Sequence, residues 1–135
     1  MTAFIDTNVL IRHLTGDPPD QARAATEFLS DSDELLLTDL VVAEVVYVLE
    51  SFYQLPREEV AELVRAIVAF PSIQVVDSAL LLRSLEVYEV DRLDFAESYL
   101  VAQAERSGVA TIASFDKSID RVTTVRRLVP AWTQP

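Results

Sequence analysis

The stretch FIDTNVLIRHL, residues 4–14, passes from a short apolar run into an aspartate, a threonine and an asparagine, and then into a second apolar run. Ala3 to Ile5 has the length and composition of a β-strand, and the residues from Thr7 to about Leu14 follow a helical pattern that Gly16 ends. Asp6 therefore stands at a strand-to-helix turn, on the carboxyl side of a first strand. An unpaired charge is costly to bury at the edge of a core, so a carboxylate there is either the cap of the helix or a group with a cation to hold.

The same alternation continues along the chain. Asp17, Pro18 and Pro19 open a helix to about Ser30, since proline suits a first helical turn. Leu35 to Leu37 is short and apolar, and Thr38 or Asp39 caps a long helix to about Tyr53. Pro56 begins a helix that stops before Pro71, Ile73 to Val76 reads as a strand, and Ser78 to Tyr88 reads as a helix. A further helix spans Phe95 to Ser107 and closes at Gly108, and Ala110 to Ala113 reads as a strand. Strands alternating with helices imply βαβ units, so the expected fold is a three-layer α/β/α domain with a mainly parallel central sheet. With 135 residues and no repeat, linker or low-complexity segment, one domain over residues 1–135 is expected. Ligand sites of such sheets lie outside the carboxyl ends of the strands.

Composition narrows the chemistry. The chain has no cysteine and one histidine, which excludes thiolate metal sites, cysteine nucleophiles and histidine pairs. Two glycines argue against a glycine-rich phosphate loop. No apolar run approaches the roughly 18 residues of a membrane span, and Asp6 and Arg12 interrupt the N-terminus where a signal peptide would be apolar, so a soluble cytoplasmic protein with no membrane partner is expected. The net charge of -11 opposes non-specific binding to nucleic acid. Residues 116–135 soften that objection, because four cations (Lys117, Arg121, Arg126, Arg127) face two anions (Asp116, Asp120). Clustered carboxylates awaiting metal ions, or a surface matched to a basic partner, also explain an acidic body.

Carboxylates occupy four separate segments. Asp6 and Asp116 each follow a strand, where either caps a helix or faces the ligand site. Glu44 interrupts TDLVVAEVVYVL, a helix apolar nearly all round and therefore expected to be buried, where a carboxylate needs an ion pair with an arginine, hydrogen bonds or a raised pKa. Asp94 and Glu97 have the i, i+3 spacing of a capping box. Carboxylates brought together repel unless protonated or bridged, and hard divalent ions take oxygen ligands of this kind. Mg2+ or Mn2+ at such a cluster activates water for in-line attack on a phosphodiester without a histidine base.

In FIDTNVLIRHL, TDLVVAEVVYVL, LDFAESYLVAQAERSG and IASFDKSIDRV, taken in that order over nearly the whole chain, the sequence resembles the PIN-domain nucleases, and within them the VapC-type toxins of toxin–antitoxin pairs. The resemblance implies a PIN-like fold and a Mg2+- or Mn2+-dependent endoribonuclease cleaving structured RNA such as tRNA or rRNA. It also implies a homodimer, or a higher toxin–antitoxin assembly, neutralised by a cognate VapB-like antitoxin. Carried over by position, Asp6, Glu44 and Asp116 match the family's acids, and the third segment supplies Asp94, Glu97 or both. Thr7 and Asn8 support Asp6 or a water by hydrogen bonding, or simply cap the helix, and Ser114 plays a similar part beside Asp116. Relatives often carry a further acid where this chain has Ser118, which points to an incomplete second metal site. Arg12, Lys117 and Arg121 are the candidates for contacts to RNA phosphates.

The remaining singled-out residues carry no chemistry: His13 reads as a packing or surface histidine, Phe95 and Tyr99 as core, and the run Val60, Val64, Ile67 and Val68 as a core face first and a dimer face or antitoxin groove second. The competing function is a catalytically silent PIN scaffold that binds RNA or a protein partner. A phosphatase of the haloacid-dehalogenase type needs a second aspartate where Asn8 stands. A response-regulator receiver needs paired acids before an aspartate at a third-strand end.

Overall fold

Asp6 turns the chain from strand to helix with its own side chain: its backbone is extended, and its Oδ1 accepts the Thr7 N–H at 2.8 Å. The computed structural model describes residues 2–131, and these belong to two compact units, Met1–Ser78 and Ala79–Pro135.

In the first unit, strand β1 (Thr2–Phe4) leads to helices α1 (Thr7–Thr15) and α2 (Pro19–Asp31), strand β2 (Glu34–Leu36), helices α3 (Asp39–Ser51) and α4 (Arg57–Val68), and strand β3 (Ile73–Gln74). The strands form a sheet in the order β1-β2-β3, every pairing parallel, with Ala3 opposite Leu35 and Leu35 opposite Ile73. Gly16 ends α1 at φ 72°, a left-handed conformation that a residue without a Cβ adopts freely, and its amide closes on the Arg12 carbonyl at 2.9 Å. Pro18 and Pro19 start α2. Of the two candidate caps for α3, Thr38 acts, its hydroxyl accepting the Val41 N–H at 3.2 Å. Leu10, Leu29, Leu35, Leu49 and Val60 are wholly buried, and Val64 and Ile67 join them in the core as the sequence pattern implies.

The second unit consists of α5 (Ser78–Glu86), a π-helical turn (Val87–Asp91), α6 (Phe95–Ser107), strand β4 (Thr111–Ala113), a 3-10 helix (Lys117–Arg121) and strand β5 (Arg126–Leu128). β4 and β5 pair in parallel, with Ile112 opposite Arg127. Val87, Leu93, Val101, Ile112, Ile119 and Val122 form its core. Arg83 on α5 pins α6 through a two-pronged contact with Glu105, at 2.8 Å and 2.9 Å, and also bonds to Glu86.

Several expectations shift. The first strand sits one residue earlier than Ala3 to Ile5, β3 is only two residues long, and the helix from Ser78 loosens into a π turn at Val87 instead of stopping at Tyr88. The larger correction concerns α3. Val42, Val45, Val46 and Leu49 are buried, but Leu40 and Tyr47 are 80% and 67% exposed, and Glu44 lies exposed between them on the same helical face. Glu44 is therefore not a buried charge in need of an ion pair, since the apolar excess of this helix is divided between a core face and an open one. No helix among the described residues is long and apolar enough to cross a membrane.

Candidate functional site

Each unit carries acids immediately beyond the carboxyl end of a strand, and local geometry fixes them differently. Asp6 is exposed and commits Oδ1 to the start of α1. The Thr7 amide supports Asp6. The Thr7 hydroxyl does not, for it is buried and has no hydrogen-bond partner among the described residues. Asn8 is exposed and, with Val9, Arg12, Gln21, Ala24 and Phe28, lines a mainly apolar cavity of about 520 Å³ between α1 and α2. Arg12, a candidate phosphate contact, donates its Nε to Gln21 Oε1 at 2.9 Å on that cavity's rim. His13 behaves as a packing residue: Nδ1 bonds to the Thr26 hydroxyl at 2.8 Å, the ring meets Phe70 edge to face, and burial holds its pKa below the usual histidine value.

In the second unit, Asp94 occupies the N-cap position of α6, but its side chain makes no capping hydrogen bond, so the capping box is not formed. Glu97 is half-buried instead, and its carboxyl is raised above the ordinary glutamate value, first by burial, then by repulsion from Asp94 and Asp116 and a hydrogen bond with Asp94. Asp94, Glu97 and Asp116, from the start of α6 and the loop after β4, thus form one electrostatic group.

Asp116 is exposed, and its Oδ1 accepts the Ser118 N–H at 2.9 Å as the cap of the 3-10 helix. That bond chiefly holds its carboxyl below the usual aspartate value, with the Ser118 hydroxyl, Arg121 and Arg127 adding to the effect. Ser118, where relatives often carry an acid, is thus a donor to Asp116 and not a further repelling charge. Ser114 Oγ accepts the Asp116 N–H at 2.9 Å, which fixes the backbone that carries the acid. Arg121 donates Nη1 to the Arg92 carbonyl at 3.0 Å, tying the 3-10 helix to the turn before Asp94. Lys117 is exposed, and its charge favours the ionised form of Asp120.

Arg127 is the residue the sequence reading passed over, counting it only as one positive charge of the tail. It lies on β5, its side chain 13% exposed, and clamps Asp120 with Nε at 3.1 Å and Nη2 at 3.0 Å. A signal for it exists: Val125 packs on the core two residues earlier, and strand side chains alternate, so Arg127 shares the inward face.

Among the described residues no group of three or more Asp, Glu or His is spaced to close around a metal ion. The donor types nevertheless fit a hard divalent cation: carboxylate and hydroxyl oxygens, no thiol, and a single imidazole already engaged with Thr26. Two further observations agree with that fit, namely the Glu97 carboxyl raised by burial and then by repulsion from Asp94 and Asp116, and the buried Thr7 hydroxyl without a partner among the described residues.

Comparison with known proteins places the chain. It is similar to a VapC ribonuclease of Aquifex aeolicus (strain VF5), with 22% identity over 123 residues, covering 88% of this chain and 90% of that one. The family model of the PIN domain matches residues 3–125. The α/β architecture with parallel strands is that of the PIN-like α/β/α class. With the acid-bearing turns at Asp6 and Asp116 inside the matched region, the chain belongs to the PIN domain family and is VapC-like within it.

Proposed function

We propose that this chain is a Mg2+- or Mn2+-dependent endoribonuclease of the VapC kind, whose metal ligands are drawn from Asp6, Glu44, Asp94, Glu97 and Asp116. The observation that carries the proposal is the match to the PIN domain over residues 3–125, a span that contains all five acids, with Asp94 and Asp116 close enough to Glu97 to add repulsion to the burial that raises its carboxyl. Like charges kept together in a folded protein call for a counter-cation. When bound, such a cation would supply an activated water and offset charge developing on a phosphodiester.

The chain's own residues have distinct duties in this reading. Asp6 and Asp116 are each oriented by a backbone N–H held on Oδ1, and their exposed carboxylates are offered to the cation. Ser114 fixes the Asp116 backbone, while Thr7 and Asn8 stand beside Asp6. Lys117, Arg121 and Arg12 are the cations offered to RNA phosphates. The substrate is structured RNA such as tRNA or rRNA, and a VapB-like antitoxin neutralises the enzyme in the cytoplasm. The family match runs across both units, which supports one PIN-like domain over residues 1–135. Leu40, Tyr47 and Phe52 are exposed apolar side chains of the kind a second copy covers, which supports a homodimer within any larger toxin–antitoxin assembly.

Incubation of the purified protein with tRNA and rRNA tests the activity. Cleavage is expected with Mn2+ or Mg2+ and is expected to vanish in excess chelator and in Asp6→Asn. Full activity in chelator overturns the proposal.

A second reading, a silent PIN scaffold that binds RNA or a protein partner, is favoured by Ser118 standing where relatives often carry an acid. Calorimetric titration separates the two, because a silent scaffold binds Mn2+ weakly or not at all.

A further inference from the structure

We infer that Arg127 is a positioning residue for Asp116: its guanidinium holds both ends of the loop from Ser114 to Asp120, so that the aspartate between them presents its carboxylate to a divalent cation. At one end Nη1 donates to the Ser114 carbonyl, a longer bond of 3.4 Å. At the other, Nε and Nη2 grip the two oxygens of Asp120 at 3.1 Å and 3.0 Å. The fork is pre-organised and its side chain is largely covered, so it fixes a distance and an angle where a lysine would fix only a point.

Between the two anchors, the loop is closed by the Asp116 N–H on Ser114 Oγ and the Ser118 N–H on Asp116 Oδ1, both at 2.9 Å. The base of the arrangement is the β4–β5 pairing, continued by the Ser114 N–H on the Leu128 carbonyl at 3.0 Å. Arg127 therefore spans from a strand to both sides of a loop whose central residue is the acid.

The inference rests on the metal-nuclease reading of Asp116, and the sign of one measurement separates it from a simple effect of charge. A positive group near a cation site repels the cation, so removing it should tighten metal binding if its charge were all that mattered. A positioning group has the opposite sign, since losing the partner that orients a ligand weakens metal binding by roughly tenfold or more.

The experiment titrates the full chain with Mn2+ alone, by calorimetry, for the wild type, Arg127→Met, Arg127→Lys and Asp116→Asn, and follows exchange of the Ser118 amide proton by NMR without metal. Arg127→Met is expected to weaken Mn2+ binding roughly tenfold, and Arg127→Lys to weaken it as well although the charge is kept. Both are expected to speed Ser118 exchange, which a purely electrostatic role leaves alone. If Arg127→Met does not fold, Arg127→Lys and Asp120→Asn carry the same test from a milder change. Unchanged or tighter Mn2+ binding in folded Arg127 variants, with Ser118 exchange as in the wild type, overturns the inference. Wild-type Mn2+ affinity in Asp116→Asn instead overturns the metal reading on which the inference stands.

Discussion

Glu97 lies half-buried on α6 three residues after Asp94, and its carboxyl is raised above the ordinary value first by burial and then by repulsion from Asp94 and Asp116. Burial and the like charges both disfavour the ionised form of Glu97, so the metal-free protein holds this carboxylate at a cost. The cost has an obvious beneficiary in a bound cation, and stability and metal binding should therefore move in opposite directions here.

Glu97→Gln tests that opposition. The amide keeps the shape and removes the like charge, so the metal-free protein is expected to gain a few tenths of a kcal/mol at neutral pH, the scale of a partly exposed charge contact. Mn2+ affinity is expected to fall in the same variant. Thermal unfolding in chelator and calorimetric Mn2+ titration check the two halves, and a variant that loses stability while binding Mn2+ as before contradicts the prediction.

His13 sets a pH dependence in the first unit. Burial lowers its folded pKa from 6.5, so between the folded value and 6.5 the unfolded chain binds more protons than the folded one. Its contribution is fully present above pH 6.5 and is lost as pH falls through the folded value. The carboxyls of Glu105, Asp116 and Asp120 also have folded values below the ordinary ones, so they act in the same direction, with stability lost on acidification, but in a more acidic window. Melting temperatures at pH 7.5 and 5.5 are therefore expected to differ less in His13→Asn than in the wild type. An equal difference in both proteins removes His13 as the cause.

Much of this was legible in the chain itself, and what was not shares one physical reason. The strand, acid and helix of residues 4–14 are local: a short apolar run, a capping aspartate and a terminating glycine specify them within a dozen residues. The Asp116 loop was visible for the same reason. Arg127 was not, because its role depends on the pairing of β5 with β4 and on an aspartate seven residues away that faces it only after the chain has turned. Glu44 was misplaced because apolar content does not say which apolar residues point outward, and Leu40 and Tyr47 do. The missing capping box at Asp94 shows the limit of spacing rules, since the same i, i+3 pair that satisfies a helix end elsewhere turns its carboxyls on each other here.

Thr7→Val separates the two atoms of one residue. The α1 cap uses the Thr7 amide, which valine retains, whereas the buried hydroxyl has no partner among the described residues. Replacing a buried, unsatisfied hydroxyl with a methyl of similar shape is expected to leave stability unchanged or raise it by about 1 kcal/mol. If the hydroxyl serves the site, RNA cleavage falls in the same variant. Denaturant unfolding and a cleavage assay read the two effects, and a large loss of stability means that the hydroxyl is bonded in the folded protein.

Asp6→Asn separates the charge of a metal ligand from the capping of α1. Asparagine caps a helix as well as aspartate does, so α1 should survive the change while the ligand charge is lost. The measurement is sequencing of cellular RNA 5′ ends after brief expression of the wild type and of Asp6→Asn. New ends at defined positions in tRNA or rRNA are expected with the wild type and absent with the variant. The same new ends from both proteins, or none from the wild type, contradict the assignment of this chain as a carboxylate-dependent ribonuclease.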